Sequence, residues 1–143
     1  MTGKVLTFRL EGGLLGIDIT LVKEISRSVE FTPVPDAPEY IVGLFNMRGQ
    51  VVTLLNLMKM IGKDGKKWEQ KSACIFLKNL QGDASDQVGF PIDAPGDVVD
   101  IEDEQCEPPP ANVGGMEGEF IECVVKLEDE LLIIIDPLKV FEQ

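Results

Sequence analysis

The sequence predicts a mainly β protein, built from two small barrels around a shared hydrophobic core, with a few short helices. Three observations support this prediction. Most apolar stretches have the length and alternation of β-strands, helix signals are confined to short segments, and the pattern of the first half returns in the second. A chain of 143 residues that is 44% hydrophobic and 27% charged is typical of one globular domain, here residues 1–143.

The first two strands are predicted to form a hairpin. Residues 5–10 alternate between apolar and polar side chains, and residues 14–19 form a second apolar strand. Gly12 and Gly13 lie near the junction, and paired glycines are a turn signal that favours antiparallel pairing of the flanking strands. Further strand-like runs cover residues 50–57, 72–80, 87–101 and 130–136. Pro91 and Pro95 interrupt the third of these runs, and a proline inside a strand predicts an edge position or a bulge.

Three short helices are also predicted, over residues 39–45, 57–61 and 138–141. Pro38 lies just before the first. Asn56 is a suitable N-cap for the second, which is expected to end at Gly62. Asp136 followed by Pro137 is a typical start for the third.

Two segments of the chain resemble each other. The strand that begins at Gly16 is echoed by the one that begins at Gly89, and the run from Gln50 is echoed by the run from Glu130. Two such strand-rich units predict two barrels related by a pseudo-twofold axis. Chance similarity among apolar strands remains the alternative explanation. The repeated segments are roughly residues 14–62 and 87–141.

The charge and the missing histidine exclude several function classes. The net charge of −12 argues against nucleic acid and anionic membrane as partners. Without histidine the chain lacks the usual general base and the commonest metal ligand, which excludes Ser-His-Asp and Cys-His enzymes. The acidic residues 97–104 do not form a calcium loop, because the sixth position is Glu102 instead of glycine. We therefore predict no catalytic residue, no cofactor and no metal site.

Cysteine usage and the apolar runs bear on location. Cys74, Cys106 and Cys123 are too few and too far apart for a disulfide framework, and they are expected to be small hydrophobic residues in a reducing cytoplasm. No apolar run reaches the length of a signal peptide or of a membrane span. The second half of the chain, residues 72–143, carries most of the acidic excess. That asymmetry indicates either a face for a basic partner or a solvated acidic shell.

Arg48 is the residue that the sequence singles out for a partner contact. It lies between the predicted helix over residues 39–45 and an apolar strand, and Gly49 after it permits a positive φ. Arginine is enriched at the energetic centres of protein interfaces because its planar guanidinium donates several hydrogen bonds and stacks well. On these grounds alone an ordinary loop salt bridge remains the alternative.

The residues around Arg48 also carry a family resemblance. Residues 15–25 and 33–57, with Asn46-Met47-Arg48 inside the longer frame, resemble the CheW-type chemotaxis coupling domain, and a weaker match continues through the second half. The resemblance implies two five-stranded, Src-homology-like barrels on a common core. It also implies a non-catalytic adaptor that couples the regulatory domain of the histidine kinase CheA to the cytoplasmic tip of chemoreceptors. Such an adaptor is cytoplasmic and recruited to receptor arrays at the inner membrane, and this chain resembles the stand-alone form.

The resemblance further implies which residues contact the receptor or the kinase. They are Val22, Glu24, Gly43, Asn46, Met47, Arg48, Gly49 and Ala73. For Val22 and Ala73, packing in the core is an alternative role.

Two rival functions stay open: a related adaptor of a pilus-motility or second-messenger pathway, and a small acidic enzyme or ligand-binding barrel.

Overall fold

The computed structural model describes residues 2–62, 65–78, 87–113 and 116–141, apart from the side chains of residues 112 and 113. Its strands and helices follow one another in a mainly β order. They are β1 (Gly3–Leu10), β2 (Gly13–Asp18), β3 (Val22–Glu30), β4 (Ile41–Met47), β5 (Gln50–Leu55), α1 (Leu57–Met60), β6 (Lys71–Leu77), β7 (Val88–Ile92), β8 (Ala94–Ile101), β9 (Cys106–Glu107), β10 (Asn112–Val113), β11 (Met116–Glu117), β12 (Ile121–Lys126), β13 (Leu131–Ile135) and α2 (Pro137–Phe141).

One barrel is formed by a five-stranded sheet of order β3-β6-β7-β5-β4. Its two edge strands are brought together just beyond the end of β3. There Thr32 N donates to Leu44 O at 2.9 Å, and Leu44 N donates back to Thr32 O at 2.8 Å. These reciprocal bonds close the sheet on itself, which removes part of the exposed edge that an open sheet would carry.

The other barrel is formed by a six-stranded sheet of order β8-β1-β2-β13-β12-β9. Its edge strands β8 and β9 are consecutive in the chain and are joined through a 3₁₀ turn, Asp103–Gln105. The prediction of a mainly β fold with two small barrels and a few short helices is therefore confirmed. The sixth strand is the two-residue β9, which pairs only with β12.

Alternation along the strands divides the apolar residues among three clusters. In β13, Leu132 and Ile134 lie inside the six-stranded barrel, whereas Ile133 and Ile135 belong to the core shared by both sheets. Strand β6 is divided in the same way between the shared core and the five-stranded barrel. Both faces of these strands are buried, which explains why they read as continuous apolar runs.

The shared core lies between the two barrels. Phe8 of the six-stranded sheet and Phe90 of the five-stranded sheet are completely buried there, with ring centroids 5.5 Å apart. Phe141 of α2 also stacks on Phe90, with ring centroids 6.2 Å apart. Aromatic side chains bury large areas, so this stack contributes strongly to holding the barrels together.

Local signals in the sequence were correct for the first hairpin and for two helices. Strands β1 and β2 pair through Leu10 and Gly13, around a tight turn of Glu11 and Gly12. Asn56 Oδ1 accepts a hydrogen bond from Lys59 N at the start of α1. Asp136 Oδ1 likewise accepts from the second and third residues of α2, at 3.1 and 3.4 Å.

The predicted helix over residues 39–45 is wrong, because most of that segment is strand β4. β-Branched Ile41 and Val42 followed by Gly43 disfavour a helix, and the segment instead pairs with β5 and closes the barrel at Leu44.

The two prolines behave differently from each other. Pro95 lies in β8, an edge strand, beside a register shift in the pairing with β1, as predicted. Pro91 lies in β7, which is not an edge strand, so the edge prediction is wrong there. Strand β7 pairs with β5 only through Val88 and Gly89. Pro91 is beyond that contact, so its missing N–H removes no bond to β5.

Each of the two predicted repeat segments contributes strands to both barrels. The first segment places β2 in the six-stranded sheet and β3 to β5 in the five-stranded sheet. The second begins with β7 in the five-stranded sheet and continues with β8, β9, β12 and β13 in the other. The pseudo-repeat itself stays a prediction. Of the predicted strand over residues 72–80, the last two residues lie outside the described part of the chain.

Candidate partner-binding site

The β4–β5 hairpin presents Arg48 at its tip. Met47 pairs with Gln50, so Arg48 and Gly49 are the only residues of the connection. Their φ angles are 52° and 86°, as a type I′ turn requires. The positive φ predicted for Gly49 is thus confirmed. The positive φ of Arg48 is unusual, because this conformation costs a residue with a Cβ about 1–2 kcal/mol.

A carboxylate positions the guanidinium of Arg48. Arg48 Nη2 donates to Glu24 Oε1 of β3 at 2.8 Å. The Arg48 side chain is nevertheless 73% exposed, against 33% for Glu24, so most of its donors remain accessible. Asn46 Oδ1 accepts a hydrogen bond from Gly49 N at 2.9 Å, and this bond stabilises the turn. The hairpin therefore offers an accessible cation on a turn that side-chain hydrogen bonds hold in place.

Exposed apolar residues extend this surface along the hairpin. Leu44 of β4 and Val51 of β5 are 37% and 59% exposed, while Val52 and Met47 are buried inside the barrel. These two exposed residues were not predicted. Val51 and Val52 are adjacent in the sequence, which does not show which of them points into the barrel. The register of the hairpin decides their orientation.

Apolar side chains are also exposed on two strands that meet at the junction of the barrels. Strands β3 and β8, one from each barrel, come into contact at this junction. Each carries an exposed apolar side chain, Ile25 on β3 and Val98 on β8. Val22 at the start of β3 is half-buried and packs against the shared core.

The side chains of the remaining candidate residues are not part of the surface around Arg48. The side chain of Met47 is inside the five-stranded barrel. Gly43 is buried where β4 passes the chain after β3, and a Cβ there would lie 2.6 Å from Thr32 O. Ala73 of β6 is half-buried against the shared core. The candidates that the structure brings together are Glu24, Asn46, Arg48 and Gly49.

Comparison with known proteins identifies the family. The model of the CheW-like domain matches residues 4–143, nearly the whole chain. This chain is a member of the CheW-like family. It is 30% identical to the chemotaxis protein CheW of Treponema pallidum over 138 residues, which is 96% of this chain and 81% of that protein. It is 29% identical to CheW of Bacillus subtilis, covering 98% of this chain and 87% of that one.

A solved CheW structure is similar as well. The crystal structure of the scaffolding protein TtCheW from Thermoanaerobacter tengcongensis superposes with a TM-score of 0.81 at 31% identity, and the match covers 100% of this chain and 90% of that one. The CheW-like chain is accordingly a non-catalytic chemotaxis scaffold, in agreement with the expectation from the sequence.

Outside the hairpin, two of the three cysteines of the CheW-like chain are buried in its core. Burial raises the pKa of the Cys74 thiol to about 12. Burial and the neighbouring sulfur of Cys106 raise that of Cys123 to about 12 as well. Within the described residues no group of His, Cys, Asp and Glu side chains is arranged to hold a metal ion. In the same part of the chain, no helix has the length and apolar character needed to cross a membrane.

Proposed function

We propose that this CheW-like chain couples chemoreceptors to the histidine kinase CheA as an adaptor in bacterial chemotaxis. In this role it binds the regulatory domain of the kinase and the cytoplasmic tip of methyl-accepting chemotaxis receptors. The function places the chain in the cytoplasm, recruited to receptor arrays at the inner membrane. The observation that carries the proposal is the accessible guanidinium of Arg48, held by Glu24 at the tip of a strained hairpin.

The hairpin has the properties of an interface centre. A side chain that is held before binding loses less conformational entropy when the complex forms. Arg48 is restrained by Glu24 on one side and by the type I′ turn below it. Leu44 and Val51 supply exposed apolar area next to it. An arginine flanked by apolar surface is a common hot-spot arrangement, so we assign this face to partner binding.

The junction of the barrels suits a helical partner. The exposed Ile25 and Val98 lie on the two strands that approach each other there, and the half-buried Val22 lies on one of these strands, β3. An amphipathic helix of the receptor tip would place its apolar face against these residues, the helix-in-groove mode of recognition. The kinase regulatory domain would then pack barrel against barrel. Contacts of about −8 kcal/mol each, which is micromolar affinity, suffice when many are combined in an array.

Reconstitution tests the proposal. The measurement is kinase autophosphorylation in the presence of a receptor fragment, with and without this chain. We expect receptor control of the kinase only when the chain is present, and its loss with the Arg48→Ala variant. Arg9→Ala is the matched control, because Arg9 is also an exposed arginine paired with a carboxylate, Glu130, but on the other barrel. Equal kinase activity with and without the chain would overturn the proposal.

A further inference from the structure

Residues 65–70, here called the Trp68 strap, cross the surface between α1 and β6 without regular secondary structure. Two hydrogen bonds fasten it, Asn56 Nδ2 donating to Lys66 O and Phe31 N donating to Gln70 O, both at 3.0 Å. Trp68 is half-buried and packs against the shared core and the core of the five-stranded barrel. The strap is therefore a well-anchored part of the surface.

Two open cavities of about 570 and 560 Å³ are lined by the strap. Lys66, Lys67 and Trp68 line both of them. Of the 13 lysine and arginine residues in the whole chain, five line these two cavities: Arg27, Lys59, Lys66, Lys67 and Lys71. The acidic lining residues are fewer: Glu39, Glu69 and Asp93. This is a basic surface on a protein whose net charge is −12.

Much of that positive charge is not neutralised within the described residues. Lys66 Nζ pairs with Asp93 and lies 4.0 Å from the centroid of the Trp68 ring. The other cations of the first cavity are exposed and form no ion pair with any residue that the structure describes. They are Arg27, Lys67 and Lys71.

We propose that the Trp68 strap and its two cavities dock a short acidic peptide segment of a partner protein. Carboxylates of the segment pair with Arg27, Lys67 and Lys71, and an apolar side chain between them packs on the edge of Trp68. This inference goes beyond the proposed adaptor function, because neither Arg48 nor the apolar junction of the barrels takes part in it.

The net charge of the chain favours a short segment over a long polyanion. At physiological ionic strength charges act over a Debye length of about 8 Å. A segment confined to the cavities is attracted by the local cations, whereas a nucleic acid or an anionic bilayer would extend over the acidic remainder of the surface and be repelled. The openness of both cavities also suits an extended chain better than an enclosed small molecule.

Trp68 provides the measurement, because it is the chain's only tryptophan. The probe is a peptide of alternating glutamate and leucine, about ten residues or 33 Å long when extended, with blocked ends. We expect its addition to change Trp68 fluorescence in a saturable way. We also expect the affinity to fall at least about tenfold between about 50 mM and 300 mM salt. The same peptide with glutamine in place of glutamate should not bind.

Two triple variants localise the binding. Arg27→Gln, Lys67→Gln and Lys71→Gln together should weaken the acidic peptide at least about tenfold, because three cations of the cavity are lost. Lys4→Gln, Lys126→Gln and Lys139→Gln together are the matched control. They remove the same charge from exposed positions elsewhere and should leave affinity nearly unchanged. Thermal unfolding of both triple variants checks that each is folded.

Three results would overturn the inference. One is the absence of saturable binding at low salt. Another is equal weakening by both triple variants, which would mean general charge attraction. The third is salt-dependent self-association that the cavity variant abolishes while the peptide does not compete, which would make a second copy of this chain the occupant. None of these results depends on kinase or receptor, so a failure here is distinguishable from a failure of the adaptor function.

Discussion

The guanidinium of Arg48 and the carboxylate of Glu24 meet at 2.8 Å although Glu24 lies on one edge strand of the five-stranded sheet, β3, and Arg48 follows the other, β4. The reciprocal bonds between Thr32 and Leu44 close the same sheet between those edges. The arginine of the pair is 73% exposed and the glutamate 33%, so solvent screens the pair and it contributes only about 0–1 kcal/mol to stability. Its main effect is therefore to hold the arginine in one orientation.

Replacing Arg48 should separate binding from folding. Arg48→Ala and Arg48→Asn both remove the guanidinium, so each should weaken partner binding by about 2 kcal/mol or more if Arg48 is a hot spot. Asparagine adopts a positive φ at lower cost than alanine, so the Asn variant should be more stable than the Ala variant by up to about 1 kcal/mol. Urea unfolding and calorimetric binding to the receptor and kinase fragments measure the two effects.

The two variants are each other's control, since both lose the pair with Glu24. If the folded Arg48→Asn variant bound both partner fragments with unchanged affinity, Arg48 would have no role in the interface.

Gly43→Ala should destabilise the five-stranded barrel. A Cβ at Gly43 would lie 2.6 Å from the Thr32 carbonyl oxygen and 2.8 Å from the Phe31 ring, so the chain segment that closes the barrel has to move. We expect a loss of about 1–3 kcal/mol in the free energy of unfolding, measured in urea. Gly13→Ala is the control, because its Cβ would meet the flexible end of Leu15 at 3.3 Å and the Leu10 carbonyl oxygen at 3.6 Å, which is an ordinary van der Waals distance. Equal stability of the two variants would argue against the close approach at Gly43.

Native thiol labelling should be selective among the three cysteines. Cys74 and Cys123 are buried, and their pKa values of about 12 keep them protonated, so neither is expected to react with Ellman's reagent at mildly alkaline pH. Cys106 is only partly buried and should account for the native reaction. All three should react in denaturant.

Cys106→Ser provides the control for this assignment. It should abolish the native reaction and leave two thiols in denaturant. Native labelling of more than one thiol per chain would show that the barrel interiors open more readily than their packing indicates.

Glu122→Gln should stabilise the protein near neutral pH. Partial burial, followed by the nearby Asp136 carboxylate, raises the pKa of Glu122 in the folded state. A carboxyl whose pKa is raised on folding opposes folding when it ionises. The penalty is therefore absent below the unfolded-state pKa and complete once the pH exceeds the raised value. The side chain is largely exposed, so we expect a gain below about 1 kcal/mol at neutral pH.

Urea unfolding of this variant at neutral pH and at about pH 3.5 checks the sign, since the gain should vanish where the carboxyl is protonated in both states. Glu128→Gln, an exposed residue between β12 and β13, is the matched loss of one negative charge. A gain for Glu122→Gln that persisted at acid pH would mean that packing, and not ionisation, is responsible.

Much of the local structure was predictable from the sequence. The alternation of β1, the caps Asn56 and Asp136 and the positive φ of Gly49 each depend on residues close together in the chain. The family resemblance pointed to the segment around Arg48, which the structure shows to be the turn of the β4–β5 hairpin. The first strand of that hairpin, β4, was assigned to a helix because propensity is a weak guide in so short a segment, although its partner β5 follows directly after a two-residue turn.

The sequence by itself determined the strand-rich character of the chain, its capped helix starts and its family, because these are written in side-chain periods and motifs a few residues long. Only the tertiary structure decided that Glu24 restrains Arg48, that Leu44 and Val51 face outward, and that five cations gather around Trp68. These features depend on strand register and on which distant segments become neighbours when the barrels close, and no local pattern of residues specifies either.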